Sequence, residues 1–202
     1  MRAAPWIASA ALSLAVACGP PPGPPRYPGD LRATSDLGPD FTLRQEIAIT
    51  FGDREARFEA VLEKRGDLLL LLALSPFGSR AFAIEQRGTS VELTRFVDEE
   101  LPFPPRWVLL DVHRTLFLGL GAGPRPDGWT EEERAGERVR ERWSGGRLLE
   151  RTFDRLDGEP EGRIRIEYGD GMAPGEPPPL IHFDNGWLGY RIVIRTMDTP
   201  AP

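Results

Sequence analysis

From Phe41 onward the side chains alternate between apolar and polar with a period of two, and this constrains the fold more than any other feature. A strand sends successive side chains to opposite faces, so such alternation reads as a half-buried strand. In "TLRQEIAITF", Leu43, Ile47, Ile49 and Phe51 share a face with Gln45 among them, while Arg44, Glu46 and Thr50 take the other. "ARFEAVLEK" sets Phe58, Ala60 and Leu62 against Glu59 and Glu63. "RAFAIEQRG" and "TSVELTRF" continue the pattern and are joined by "RGTS", a plausible hairpin turn. "GDLLLLLALS" is apolar on both faces, which predicts a place mid-sheet or beneath a covering element. With turns at "GD" twice and at Gly88, these five segments predict a meander of antiparallel strands.

Later segments repeat the theme. Val139, Glu141 and Trp143 oppose Arg138, Arg140 and Arg142; Ile164, Ile166 and Tyr168 oppose Arg163, Arg165 and Glu167; Tyr190, Ile192 and Ile194 oppose Arg191 and Arg195. The predicted sheet is therefore apolar on one face and rich in arginine on the other, as an antiparallel sheet with one wet side should be. One stretch, "PPRWVLLDVHRTLFLGLGAG", departs from this period. Pro104 and Pro105 favour a helix start, Leu109, Val112, Leu116 and Leu120 recur at helical spacing, and Gly119, Gly121 and Gly123 end the pattern. This predicts one helix over about 105–118, lying against the apolar face. Such a helix either fills the concavity of the sheet or lids a cavity.

The N-terminus bears on where the chain lives. Met1-Arg2 precede fifteen uncharged residues, Ala3 to Ala17, which end at the only cysteine, Cys18. A basic start, a short apolar stretch and small residues make a secretory signal, and fifteen residues fall short of the about 20 that a spanning helix needs. "LAVAC" resembles the lipobox of bacterial lipoproteins, with Ala15 where leucine is more usual; that resemblance implies lipidation of Cys18, and the alternative is a plain signal peptide or a single membrane anchor. Gly19 stands where an aspartate commonly retains lipoproteins at the inner membrane, so an outer-membrane anchor with the domain facing the periplasm is expected. "CGPPPGPPRYPGD" holds six prolines and three glycines and reads as an extended spacer. The expected organisation is a signal over 1–17, a lipidated tether over 18–35 and one β domain over 36–198.

Several chemistries have little support. One cysteine permits neither a disulfide framework nor a cysteine-based zinc site within the chain, and His113 and His182 are far apart, so no metal and no cofactor are expected. His113 falls on the apolar side of the predicted helix and reads as a satisfied buried histidine. The net charge of −6, with scattered basic residues, argues against nucleic acid. "GLGAG" follows a helix rather than preceding one, which disqualifies it as a dinucleotide loop. "EYGDGMAPGE" lacks the spacing of a calcium loop and reads as a solvated turn. "WTEEERAGERVRER" reads as a solvated hairpin. No nucleophile elbow is present; catalysis would need carboxylates such as Asp111 or Glu141 in a cavity, and a non-enzyme is expected.

Three stretches taken in order resemble the LolB-like outer-membrane lipoproteins of the LolA/LolB superfamily. These are "DLLLLLALSPFGSRAFAI", "LPFPPRWVLLDVHRTLFLGLGAG" and "PPPLIHFDNGWLGYRIVIRT". The middle one, through "LLDVHRTLF", is similar to an uncharacterised lipoprotein family often encoded among aryl-polyene biosynthesis genes. The resemblance implies an incomplete antiparallel β-barrel with a helical lid, and an acyl or lipid ligand in an apolar cavity. It also implies partners such as an acylated lipoprotein or its carrier; a monomer is expected. Phe77, at the tip of the turn "SPFGS", matches an exposed apolar residue of the LolB group that receives an acylated lipoprotein; the alternative is a ring folded back onto Phe82 or Phe58. Expected cavity residues are Phe58, Leu62, Phe82, Ile84, Val139, Ile166 and Ile192, with Trp107, Leu110, Val112 and Phe117 from the lid. The other reading is that these residues fill an ordinary core and the chain is a scaffold for a partner protein.

Overall fold

In a computed structural model, which describes residues 27–117, 125–173 and 176–197, the chain builds one antiparallel sheet of eleven strands. The first meander comprises β1 (Phe41–Phe51), β2 (Arg54–Arg65), β3 (Leu68–Leu74), β4 (Arg80–Arg87) and β5 (Ser90–Arg95). The helix α1 (Pro105–Val112) follows, and continues as a π turn over His113–Phe117. The second meander comprises β6 (Gly128–Arg134), β7 (Glu137–Ser144), β8 (Arg147–Arg155), β9 (Arg163–Met172), β10 (Leu180–Asn185) and β11 (Tyr190–Met197). The strand order is β5-β4-β3-β2-β1-β11-β10-β9-β8-β7-β6, so the meanders join where β1 pairs with β11, from Phe51↔Tyr190 to Arg44↔Met197.

The sheet does not close: β5 and β6 are its edges, and the connection between them carries α1 from one edge to the other. That connection runs over the inner face. The His113 Nε2–Gln86 Oε1 hydrogen bond of 2.8 Å ties the helical segment to β4, and the Tyr168 hydroxyl donates to Thr115 O at 2.8 Å from β9. Arg151 of β8 donates to the carbonyl of Arg114. On a flat sheet with strands ~4.8 Å apart, β4 and β8 would stand roughly 34 Å from each other. A helix about 10 Å across can touch both only if the sheet curls around it.

The predicted strands, the hairpins at Gly52, Gly66 and Gly88, and the helix all occur. Gly52 and Gly66 take φ of 57° and 54° at the first turn position, where a two-residue hairpin wants glycine. The helix ends its regular turns at Val112, and the "GLGAG" stretch lies outside the described residues. "EYGDGMAPGE" is corrected: the strand continues through Gly169 and Gly171 to Met172. β3 alternates as well. Leu69, Leu71 and Ala73 are buried, whereas Leu68, Leu70 and Leu72 are half-buried outside, Leu72 beside Val61 and Ala83. It lies third from an edge, not at the middle.

The segment 27–35 differs from the expected tether, because Tyr27, Leu31 and Thr34 are buried. Tyr27 packs on Trp107 and Trp187, and the segment then crosses the open side. The backbone N–H of Arg32 donates to His113 Nδ1 at 3.3 Å, and Thr34 N–H donates to Gly88 O at 3.2 Å. We refer to 27–37 as the strap. Among the described residues, no helix is long and apolar enough to cross a membrane.

Candidate ligand cavity

The two halves of the inner face are filled differently. Beneath β8 and β9, Phe153, Ile164, Ile166 and Tyr168 are fully buried and pack as solid core. Beneath β1–β4, alanines occupy inner positions at Ala56, Ala60 and Ala73. The space left is a cavity of ≈ 630 Å³, walled by β1–β4, β10, β11, the segment before α1, and α1 with its π turn. Its walls are mainly aliphatic and aromatic, in the size range of small-molecule sites.

Of the residues expected to line a cavity, Phe58, Leu62, Phe82, Val112 and Ile192 do so. Phe58 and Phe82 meet edge-on at 6.3 Å between ring centres. Ile84 and Ile166 are fully buried in the core and do not border this space. Trp107 stacks on Tyr27 at 5.3 Å, and Phe117 packs on Phe41 and His113. Leu110 and Val139 face a separate cavity of ≈ 290 Å³, which lies between the strap, the helical segment and β7. The cavity also uses Ile47, Ile49, Phe103, Val108 and Tyr190, which were not singled out as ligand contacts. The alternation of β1 already set Ile47 and Ile49 on the inner face.

Phe77 stands at the rim and is 95% exposed. The turn is closed beneath it: Ser75 N–H donates to Ser79 O at 2.7 Å, Gly78 N–H to Ser75 O at 2.9 Å, and the two serine hydroxyls bond to each other. With its backbone fixed and Phe58 and Phe82 engaged with each other, the ring does not fold back on either. Glu99 and Glu100 border the same opening.

The ionisable groups are organised around Asp111. Its carboxylate accepts hydrogen bonds from the Tyr27 and Tyr190 hydroxyls, and Arg114 Nη1 lies 3.3 Å away. Burial pushes the Asp111 carboxyl up, against the Arg114 charge and the tyrosine hydroxyls that hold it down. Burial and the neighbouring Asp111 also push both tyrosines up, so they stay protonated donors. Arg114 bonds Glu137 at 2.8 Å and sits over the rings of Tyr27, Trp187 and Phe153. Glu141 pairs with Arg151 at 2.6 Å rather than facing open space alone. His113 is buried and held neutral. Burial, then the charges of Arg32, Arg106 and Arg114, bring it down to about 4. Among the described residues, no three His, Cys, Asp or Glu side chains converge as a metal cluster.

Fold and cavity together define an open, curled antiparallel sheet that encloses an apolar chamber beside the short helix α1. The chain belongs to the family described as "Protein of unknown function (DUF3261)", whose model matches residues 42–198. No curated protein matches it. Among solved structures it is similar to a LolA superfamily protein from Nitrosomonas europaea, at 14% identity over 84% of this chain and 91% of that one, with a TM-score of 0.48. It is also similar to a putative outer membrane lipoprotein-sorting protein domain from Vibrio parahaemolyticus, at 11% identity over 82% and 86%, with a TM-score of 0.43. At such scores the likeness carries no functional weight, and the chemistry has to come from the cavity itself.

Proposed function

We propose that this protein is a non-catalytic carrier or acceptor of a hydrophobic chain, an acyl, lipid or polyene tail, held in the ≈ 630 Å³ cavity. It would be tethered through a lipidated Cys18 to the periplasmic side of the outer membrane. The observation that carries this reading is an apolar chamber whose rim holds an exposed phenylalanine. Burying such a ring in lipid or against an acyl chain is worth roughly 1.5–3 kcal/mol, and nothing in the turn gains from leaving it wet. The buried acidic and basic side chains at and near the cavity are engaged with one another, which suits binding rather than chemistry. Open space beneath β1–β4 also weighs against the filled-core scaffold.

The test is native mass spectrometry of the mature chain, with Cys18→Ser to remove the acyl anchor, purified from a membrane-containing host. Co-purifying acyl or polyene species should be present, and Ala73→Leu should displace them by filling the chamber while the protein stays folded. A clean apo mass, with no uptake of the apolar probe N-phenyl-1-naphthylamine, would sink the carrier reading.

A further inference from the structure

Two glutamines lie on the inner face, and their side chains have different circumstances. Gln86 is fully buried and committed: its Nε2 donates to Arg32 O and Gly88 O, both at 2.7 Å, and its Oε1 accepts from His113. It splices the strap to β4. Gln45 is 4% exposed as a residue and borders the large cavity; its amide makes no hydrogen bond among the described residues, and its polar atoms face the open space of the cavity. Its cross-strand neighbours leave it no partner. Ala60 has no polar side-chain atom, and the Thr196 hydroxyl points its proton at Pro178 O at 2.8 Å and makes no bond to Gln45. The other polar groups along the chamber are occupied: Thr115 donates to Asp111 O, and Tyr190 to the Asp111 carboxylate. An amide that faces the chamber and no protein partner is free to pair with whatever occupies it. Gln45 is thus a donor and an acceptor held open inside an apolar wall.

We infer that Gln45 is the polar recognition point of the cavity, and that the ligand carries a neutral hydrogen-bonding group, an ester or amide carbonyl or a hydroxyl, on its inward part. This rests on the carrier reading and gives it a chemical class. The depth follows from the strand register. Gln45 shares an inner row with Ala60, Ala73 and Phe82, one row from the Leu62 and Leu71 end of the lining, and on β1 the Ile47 and Ile49 rows lie between it and the Phe51 end. Neutrality follows from the lining, which among the described residues contains no lysine, arginine or histidine but does contain Asp111, Glu99 and Glu100. An inward carboxylate would enter without a countercharge and face Asp111. An amide side chain pairs equally well with a carbonyl, through Nε2–H, or with a hydroxyl, through Oε1.

The test is displacement of N-phenyl-1-naphthylamine from the mature Cys18→Ser chain by 1-dodecanol, 1-dodecene and dodecanoate at pH 8. Gln45→Leu should weaken 1-dodecanol about tenfold, with 1-dodecene unchanged or tighter, so that the alcohol-to-alkene ratio falls by the same factor. A ratio unchanged within about twofold would overturn the role of Gln45. In the unsubstituted chain dodecanoate should bind at least about tenfold more weakly than the alcohol; equal binding would overturn the neutral ligand. If the probe never binds, the carrier reading fails first and takes this inference with it. Gln45→Met, nearly isosteric, replaces the leucine variant if circular dichroism shows that variant unfolded.

Discussion

At the scale of single residues, two side chains make opposed demands on water. His113 has both ring nitrogens engaged in a way only the neutral form allows: Nδ1 accepts the Arg32 N–H at 3.3 Å, and Nε2–H donates to Gln86 at 2.8 Å. A second ring proton would point Nδ1–H at a backbone N–H. The folded value of about 4 lies below the ordinary 6.5, so as pH falls the unfolded chain takes up the proton first. The stability contributed is fully present above about 6.5, drains away between there and about 4, and amounts to roughly 3 kcal/mol. Urea unfolding of the protein against pH should show that loss, and His113→Gln should flatten it; an equal slope in both would remove His113 as its source. Phe77 is the converse case. Its exposed ring adds nothing to folding, so Phe77→Ser should change the unfolding free energy by no more than the ~0.5 kcal/mol expected of an uninvolved surface site, with the melting temperature nearly unmoved. The same substitution should weaken vesicle binding by at least about tenfold. A large drop in melting temperature would mean that the ring is a packing residue after all.

At the scale of elements, the strap separates a folded segment from a leader. If 27–37 belongs to the domain, Tyr27→Ala should cost about 3–5 kcal/mol by denaturant unfolding. It removes a ring packed on Trp107, Trp187 and Arg114, and leaves Asp111 and Asn185 each short of a hydrogen bond. A true tether would give no change. The sequence could not display this, since prolines and glycines around Tyr27 read as spacer and its partners lie some 80 to 160 positions away. Elements with clean alternation were legible: β1, β2, β4, β5, β7, β9 and β11, and with them the Phe58, Leu62, Phe82 and Ile192 part of the cavity wall. β8 was not. "RLLERTFDR" buries Glu150, Arg151 and Thr152 next to Phe153, so its inner face carries charge that Glu141 neutralises from the neighbouring strand. The helix was legible from Pro105 and the leucine spacing, yet its rotation was not. Leu110 turns to the smaller cavity and Trp107 to Tyr27, while Val108, Val112 and Leu116 face the larger one.

At the scale of the whole molecule, the register fixes a polarity along the strands. Phe51 pairs with Tyr190, and β3 rises to the Phe77 turn; β5 ends beside Phe96, and β8 ends beside Leu156, all at one end of the sheet. Among the described residues, four of the five exposed large apolar side chains therefore crowd that end, and Trp129, at the start of β6, marks the other. The strap enters the domain at the crowded end too, through Tyr27 against Trp187 in the β10–β11 turn. Cys18 precedes Tyr27 by nine residues, at most about 30 Å of extended chain, whereas β1 alone spans about 37 Å. An anchor at Cys18 brings the Phe77 end, and with it the mouth of the cavity, to the bilayer. To present the Trp129 end, the tether would have to run back along the full sheet. Vesicles with brominated acyl chains read this directly. Phe77→Trp should add emission that the bromine quenches, and Trp129→Phe should remove none of it. Quenching that disappears with Trp129 would put the opposite end on the membrane, with the cavity opening away from any lipid it could take up.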